Sequence, residues 1–115
     1  MVGYSRAIRT GNLIEVSGTI ALNEKGESIG IGDASLQTRE IINIASRVLQ
    51  EVGSCLEDVI RTRIYVTDIG LWEEIGKAHG DFFSGIRPAS TMVQVSALIR
   101  PEALVEIEFT AVVDE

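Results

Sequence analysis

Cysteine is nearly missing from this chain. Cys55 is the only one among 115 residues, which excludes an intrachain disulfide and a metal centre built from several thiolates of one chain. A buried structural thiol is the reading that remains for it. Histidine is as scarce: His79 stands alone, with no serine or cysteine partner at a recognisable spacing, and reads as a packing or surface residue. No apolar run approaches the roughly 20 residues needed to cross a bilayer, and the opening MVGYSRAIRTG lacks the apolar core of a secretory signal, so the expected location is cytoplasmic with no membrane partner. Basic clusters are missing too. Ten basic residues against seventeen acidic ones give a net charge of −7 and a pI near 4.7, which disfavours nucleic acid and anionic membranes as partners. With neither a metal-ligand cluster nor a glycine-rich phosphate loop, no metal and no cofactor are expected.

What is present is the composition of one globular domain, spanning residues 1–115: 45% hydrophobic and 23% charged residues, with eleven glycines scattered as punctuation. Tyr4 to Thr10 and Asn12 to Ile20 read as two strands turning at Gly11. Asn23 to Gly26 reads as a turn before a short third strand at Ser28 to Ile31. From Asp33 the period changes to 3.6, with Ile41, Ala45, Val48 and Val52 on one stripe, so a helix is predicted over 35–52, capped by Asp33 or Ser35 and closed by Gly53. Val59 to Thr67 alternates as a strand, with Ile60, Thr62, Ile64 and Val66 on one face. Leu71, Ile75, Ala78 and Phe82 predict a second helix over 71–84, ended by Gly85 and Pro88. Ser90 to Leu98 and Ala103 to Val113 are two extended runs, and the short Ile99 to Glu102 link predicts neighbouring antiparallel strands.

The fold class is therefore α+β, and the arithmetic of its faces points to self-association. Val93, Val95, Val105, Ile107, Phe109, Ala111 and Val113 share the face that two helices can cover. The opposite face carries Arg61, Arg63, Tyr65, Met92, Glu106, Glu108 and Val112. No third layer is left to cover it, and it is more apolar than a solvated sheet face, so a second copy of the chain is expected there.

Several segments resemble the RidA (YjgF) family. Gly11-Asn12-Leu13-Ile14 running into Ser17-Gly18-Thr19-Ile20 is similar to its GN…SGQI segment. Asp58 to Thr62 with Tyr65 to Asp68 resembles its central strand, and Phe82-Phe83 followed by Arg87-Pro88-Ala89 resembles its FF…RPA signature. Val93-Gln94-Val95, Leu98, Pro101 and Val105 to Glu108 complete the match over nearly the whole chain. The resemblance implies a chorismate-mutase-like fold, a mixed β-sheet covered on one face by two helices, assembled as a homotrimer around a central barrel with small-molecule clefts between subunits. It implies deaminase-like hydrolysis of reactive enamines and imines, such as 2-aminoacrylate, to a 2-keto acid and ammonia, with no cofactor. Carried over by position, it assigns Tyr4 to the cleft, Gly18 as the donor of a backbone group, and Glu106 as the acidic catalytic residue. The arginine that grips the substrate carboxylate falls on Ser90, the cysteine two positions later on Met92, and a helix asparagine on Gly76. A bidentate guanidinium contact contributes a few kcal/mol. Its loss makes this chain resemble the subgroups that lack the arginine.

Each assignment has a plainer counterpart. Arg87 can return a cation to the cleft or form an ordinary salt bridge, and Glu106 can serve as acid and base or pair with Arg61 or Arg63. Tyr4 can stack on a ligand or anchor the first strand. Ser90 and Thr91 can bind a ligand or act as common strand hydroxyls. Three functions follow: hydrolysis of a reactive imine or enamine, a non-catalytic metabolite-binding or regulatory trimer, and, least favoured by charge, an endoribonuclease.

Overall fold

The computed structural model describes residues 2–114. Two strands, β1 (Ala7–Thr10) and β2 (Leu13–Thr19), form the opening hairpin. Gly11 takes the left-handed conformation at its turn, with φ of 60°. Helix α1 (Ala34–Glu51) follows, with the Asp33 carboxylate accepting from Leu36 N at 3.0 Å and Gly53 closing its other end at φ of 83°. Of the two caps considered, Asp33 is the one used. Strand β3 (Val59–Val66), helix α2 (Trp72–Phe83), strand β4 (Ala89–Gln94) and strand β5 (Val105–Val112) complete the order. The third strand foreseen at Ser28 to Ile31 shrinks to a single bridge between Leu22 and Ser28. Asn23 has replaced it with a side-chain turn, its Oδ1 accepting from Lys25 N at 2.9 Å and Glu27 N at 3.0 Å.

The five strands lie in the order β1-β2-β5-β3-β4, which corrects the expected pairing of the last two. Strand β4 lies parallel to β3 at the sheet edge, and β5 lies antiparallel between β2 and β3. The cause is helix α2. A strand, a helix and a strand in succession form a crossover unit that returns the chain parallel to where it began. Residues 95–104 then pass over the end of β3 to reach the centre of the sheet.

Register also corrects two expected faces. Met92 pairs with Ile64 across the parallel ladder, so both side chains point toward the helices; Met92 packs against the core while Val93 is 42% exposed. A bulge between Val59 and Arg61 reverses the alternation. Val59 is consequently buried and Ile60 is 51% exposed. The core lies between the sheet and the helices, centred on Ile14, Ile41, Leu49, Ile75, Phe83 and Phe109. Among the described residues no helix is long and apolar enough to cross a membrane.

Cys55 is half-buried rather than buried, with Sγ 3.7 Å from Asp58 Oδ2. Burial, helped by hydrogen bonding and the nearby acids, raises its pKa and keeps it a thiol.

Candidate functional site

Strand β2 is irregular where it matters. Val16 pairs with Phe109 and Thr19 with Ile107, so three steps on β2 oppose two on β5. The extra residue lies in the Ser17-Gly18 stretch, and the bulge presses the Gly18 backbone against the side chain of Glu106. A Cβ placed on Gly18 would collide with Glu106 Oε2 and stand 3.0 Å from its Cδ. Only glycine admits the carboxylate so close to this backbone.

Glu106 is half-buried, and burial raises its pKa, with the neighbouring Glu108 carboxylate adding to the effect. Arg61 and Arg63 do not offset it. Arg61 Nη2 donates to Thr91 Oγ1 at 2.8 Å, and Arg63 Nη1 donates to Thr110 Oγ1 at 3.2 Å. Thr110 in turn donates to Glu15 Oε1 at 2.5 Å, and Tyr65 OH donates to Glu108 Oε1 at 2.8 Å. These bonds tie together the sheet face that the helices leave open.

Gly18 and Glu106 open onto a cleft of about 780 Å³, whose walls also include Tyr4, Ile44, Arg47 and Ile99. Tyr4, 75% exposed, stands at the mouth ahead of β1. Arg6 and Arg47 line the cleft as exposed cations, while Arg100, also lining it, donates to Gly26 O at 2.8 Å. The arginines were not singled out by motif. They are reached only because β1, α1 and the crossover segment converge around the β2 bulge.

The remaining expected site residues, Arg87, Ser90 and Thr91, lie at β4, two strands away from β5. Within one chain they do not line the cleft with Glu106. Arg87 has φ of 60°, unusual for a side-chain-bearing residue, and its N–H donates to Phe83 O at 2.7 Å to close α2. Thr91 faces the open side with Arg61. Ser90 faces the helices, because its β3 partner is the fully buried Thr62.

The comparisons with known proteins decide the family. A family model described as Endoribonuclease L-PSP matches residues 1–113. This chain belongs to the RidA (YjgF) family. A solved member of the YjgF/YER057c/UK114 family from Mycobacterium tuberculosis is 46% identical, with a TM-score of 0.87 over 97% of this chain and 88% of that one. A structure from Yersinia pestis, of a Rid-family protein described as of unknown function, is 34% identical with a TM-score of 0.91, covering 98% and 90%. By sequence, a 3-aminoacrylate deaminase RutC of Acinetobacter baylyi is 34% identical over 108 residues, 94% of this chain and 85% of the relative.

Two features of this RidA chain were missed in the sequence. His79 packs as expected, its ring tilted 34° against Phe83 with centroids 4.7 Å apart; what was missed is that its Nε2 lies 2.9 Å from Thr62 Oγ1, which lies 2.8 Å from Ser90 Oγ. The signal was available only through the parallel pairing of β3 and β4. Gln37 is the other. Its buried amide donates to Gly30 O and Glu102 O, both at 3.0 Å, and accepts from Leu104 N at 2.9 Å. It fixes the crossover segment at one end of the cleft. Gly76, on the exposed side of α2, meets nothing that a Cβ would touch. Among the described residues no group of acidic, histidine or cysteine side chains is arranged to hold a metal.

Proposed function

We propose that this RidA-family chain assembles as a homotrimer and hydrolyses a reactive enamine or imine, with Glu106 as the acid and base and Gly18 as the backbone that seats the reacting group. The observation that carries this reading is the bulge-enforced contact of Gly18 with a half-buried carboxyl whose proton is retained to higher pH. A carboxylic acid so placed suits proton delivery to the nucleophilic carbon of an enamine. The carbon–carbon double bond takes up the proton, and an iminium forms at nitrogen. Water then adds to the iminium carbon while Glu106, now a carboxylate, accepts the proton that the water releases. Glu106 then gives that proton to the nitrogen, and as the hydroxyl proton returns to the carboxylate the carbon–nitrogen bond breaks, expelling ammonia and leaving a carbonyl compound. The similarity to a protein named 3-aminoacrylate deaminase supports this class of chemistry. In the proposed trimer, the edge strand β4 of one subunit borders the cleft of another, with Ser90 and Arg87 as its contribution from the helix side and the loop, and Thr91 held by Arg61 on the opposite face.

Ammonia release from 3-aminoacrylate and from 2-aminoacrylate generated in situ tests the proposal. Glu106→Gln is expected to lower kcat about 10²-fold or more. Gly18→Ala should do the same while leaving the fold intact, since the collision is with the mobile end of a side chain. With Ser90 in place of a guanidinium, 2-aminoacrylate should turn over about 10²-fold more slowly than in a RidA protein bearing the arginine. No release above the uncatalysed rate from any enamine, with a small molecule retained in native mass spectra, would replace this reading with that of a non-catalytic binding trimer. The missing guanidinium is the observation that favours this second reading.

A further inference from the structure

Thr62 is fully buried and joins His79 to Ser90, an exposed residue on the edge strand. A hydroxyl has one proton to give. If Thr62 gives its proton to Ser90 across 2.8 Å, its oxygen can only accept from His79 Nε2 at 2.9 Å, which places the imidazole proton on Nε2. Ser90 then receives one hydrogen bond from inside the protein and keeps its own proton for an acceptor outside. Three donors in series polarise one another, so the last becomes a stronger and better-aimed donor than an isolated serine. A tilted contact with Phe83, 4.7 Å between centroids at 34°, limits the motion of the imidazole.

We propose that His79 and Thr62 are positioning residues that aim the Ser90 hydroxyl outward as a hydrogen-bond donor, so that the ligand group received at β4 is an uncharged oxygen acceptor such as an amide or ketone carbonyl. A single hydroxyl satisfies one lone pair but cannot neutralise a carboxylate, whose two oxygens suit the guanidinium fork. The ligand class therefore differs from a 2-imino acid at this end of the cleft, although Arg6 and Arg47 remain to meet an anionic group at the other. The inference rests on the reading that β4 faces the cleft of a neighbouring subunit.

His79 is the sole histidine, so nitrogen-15 NMR of the whole protein reports this one ring. The expected spectrum of the free protein at neutral pH has a pyrrole-type Nε2 and a pyridine-type Nδ1. Titration with pyruvamide should shift both signals, and pyruvate should shift them less. Thr62→Val keeps the shape of the side chain and removes the hydroxyl; it should weaken pyruvamide binding about five- to ten-fold and abolish the response of His79. Ser90→Ala should weaken binding equally and, by removing the acceptor of the Thr62 proton, free Thr62 to donate to Nε2 and move the imidazole proton toward Nδ1. A proton on Nδ1 alone in the free protein, or His79 signals unmoved by pyruvamide, overturns the inference. A pyruvate affinity ten-fold above that of pyruvamide, lost in Ser90→Ala, overturns the proposed ligand class. Enamine turnover by Thr62→Val and Glu106→Gln, run in parallel, separates the two levels. Loss of activity in Glu106→Gln alone, with KM unchanged in Thr62→Val, removes the relay and leaves the hydrolase reading standing.

Discussion

At the scale of single residues, Glu106 is the position where structure and chemistry compete. Its folded-state pKa lies above the ordinary carboxylate value, first through burial and then through the negative charge of Glu108. Ionising it therefore costs more in the folded protein than in the unfolded chain. Any stability tied to its protonated form is complete below the unfolded pKa and is lost as pH rises through the folded value. Glu106→Gln should accordingly raise stability at pH 7, by well under ~1 kcal/mol because the group is only half-buried and screened by solvent. The gain should vanish near pH 4. Thermal unfolding of both proteins at the two pH values checks this. A variant less stable at pH 7, or one that dissociates, would instead mark Glu106 as the partner of a cation in a neighbouring subunit, where an uncompensated charge costs several kcal/mol.

At the scale of elements, the repeating stripes were legible and the connections were not. Helix α1 was predicted over 35–52 and occupies Ala34–Glu51; α2 was predicted over 71–84 and occupies Trp72–Phe83. Both follow from side-chain periods that each helix carries within itself. The position of β4 follows from pairing partners 28 residues away on β3, which is why the expected hairpin with β5 failed and Val93 was assigned to the wrong face. The strand–helix–strand succession was the overlooked signal for a parallel edge. The cleft was legible in part, because Gly18 and Glu106 belong to motifs, whereas Arg47, Gln37 and the link from His79 to Ser90 arise from packing between distant segments. Gln37 supplies the element-scale prediction. Gln37→Met preserves volume but strips the partners from Leu104 N, Glu102 O and Gly30 O, and unsatisfied buried backbone groups cost about 1–3 kcal/mol each. A loss of about 2 kcal/mol or more is expected in urea unfolding, with protection of the Leu104 amide from hydrogen exchange falling most. An unchanged midpoint would show that water replaces the clamp.

At the scale of the whole molecule, the question is what lies on the sheet face that α1 and α2 do not cover. Its centre is already a bonded polar lattice of Glu15, Thr110, Arg63, Tyr65 and Glu108, and Thr110 is only 6% exposed within a single chain. Its margin is apolar. Ile8, Leu13 and Val112 are 58%, 46% and 39% exposed, and Leu13 pairs directly with Val112 across β2 and β5. Exposed aliphatic groups beside polar groups that already have partners leave apolar surface that further copies of the chain could cover. Such closure also suits the proposed shared cleft, since Ser90 does not line the cavity of Glu106 within one chain. Light scattering at micromolar concentration should therefore give three times the chain mass of 12.5 kDa. Val112→Glu places a carboxylate in the expected seam and should shift the equilibrium toward monomer while circular dichroism keeps its helix and strand signature. Because activity is assigned to a cleft shared between subunits, enamine hydrolysis in that variant should fall with dilution in step with the trimer fraction. A monodisperse, fully active monomer would remove the shared cleft and return Ser90, Thr62 and His79 to a purely structural role.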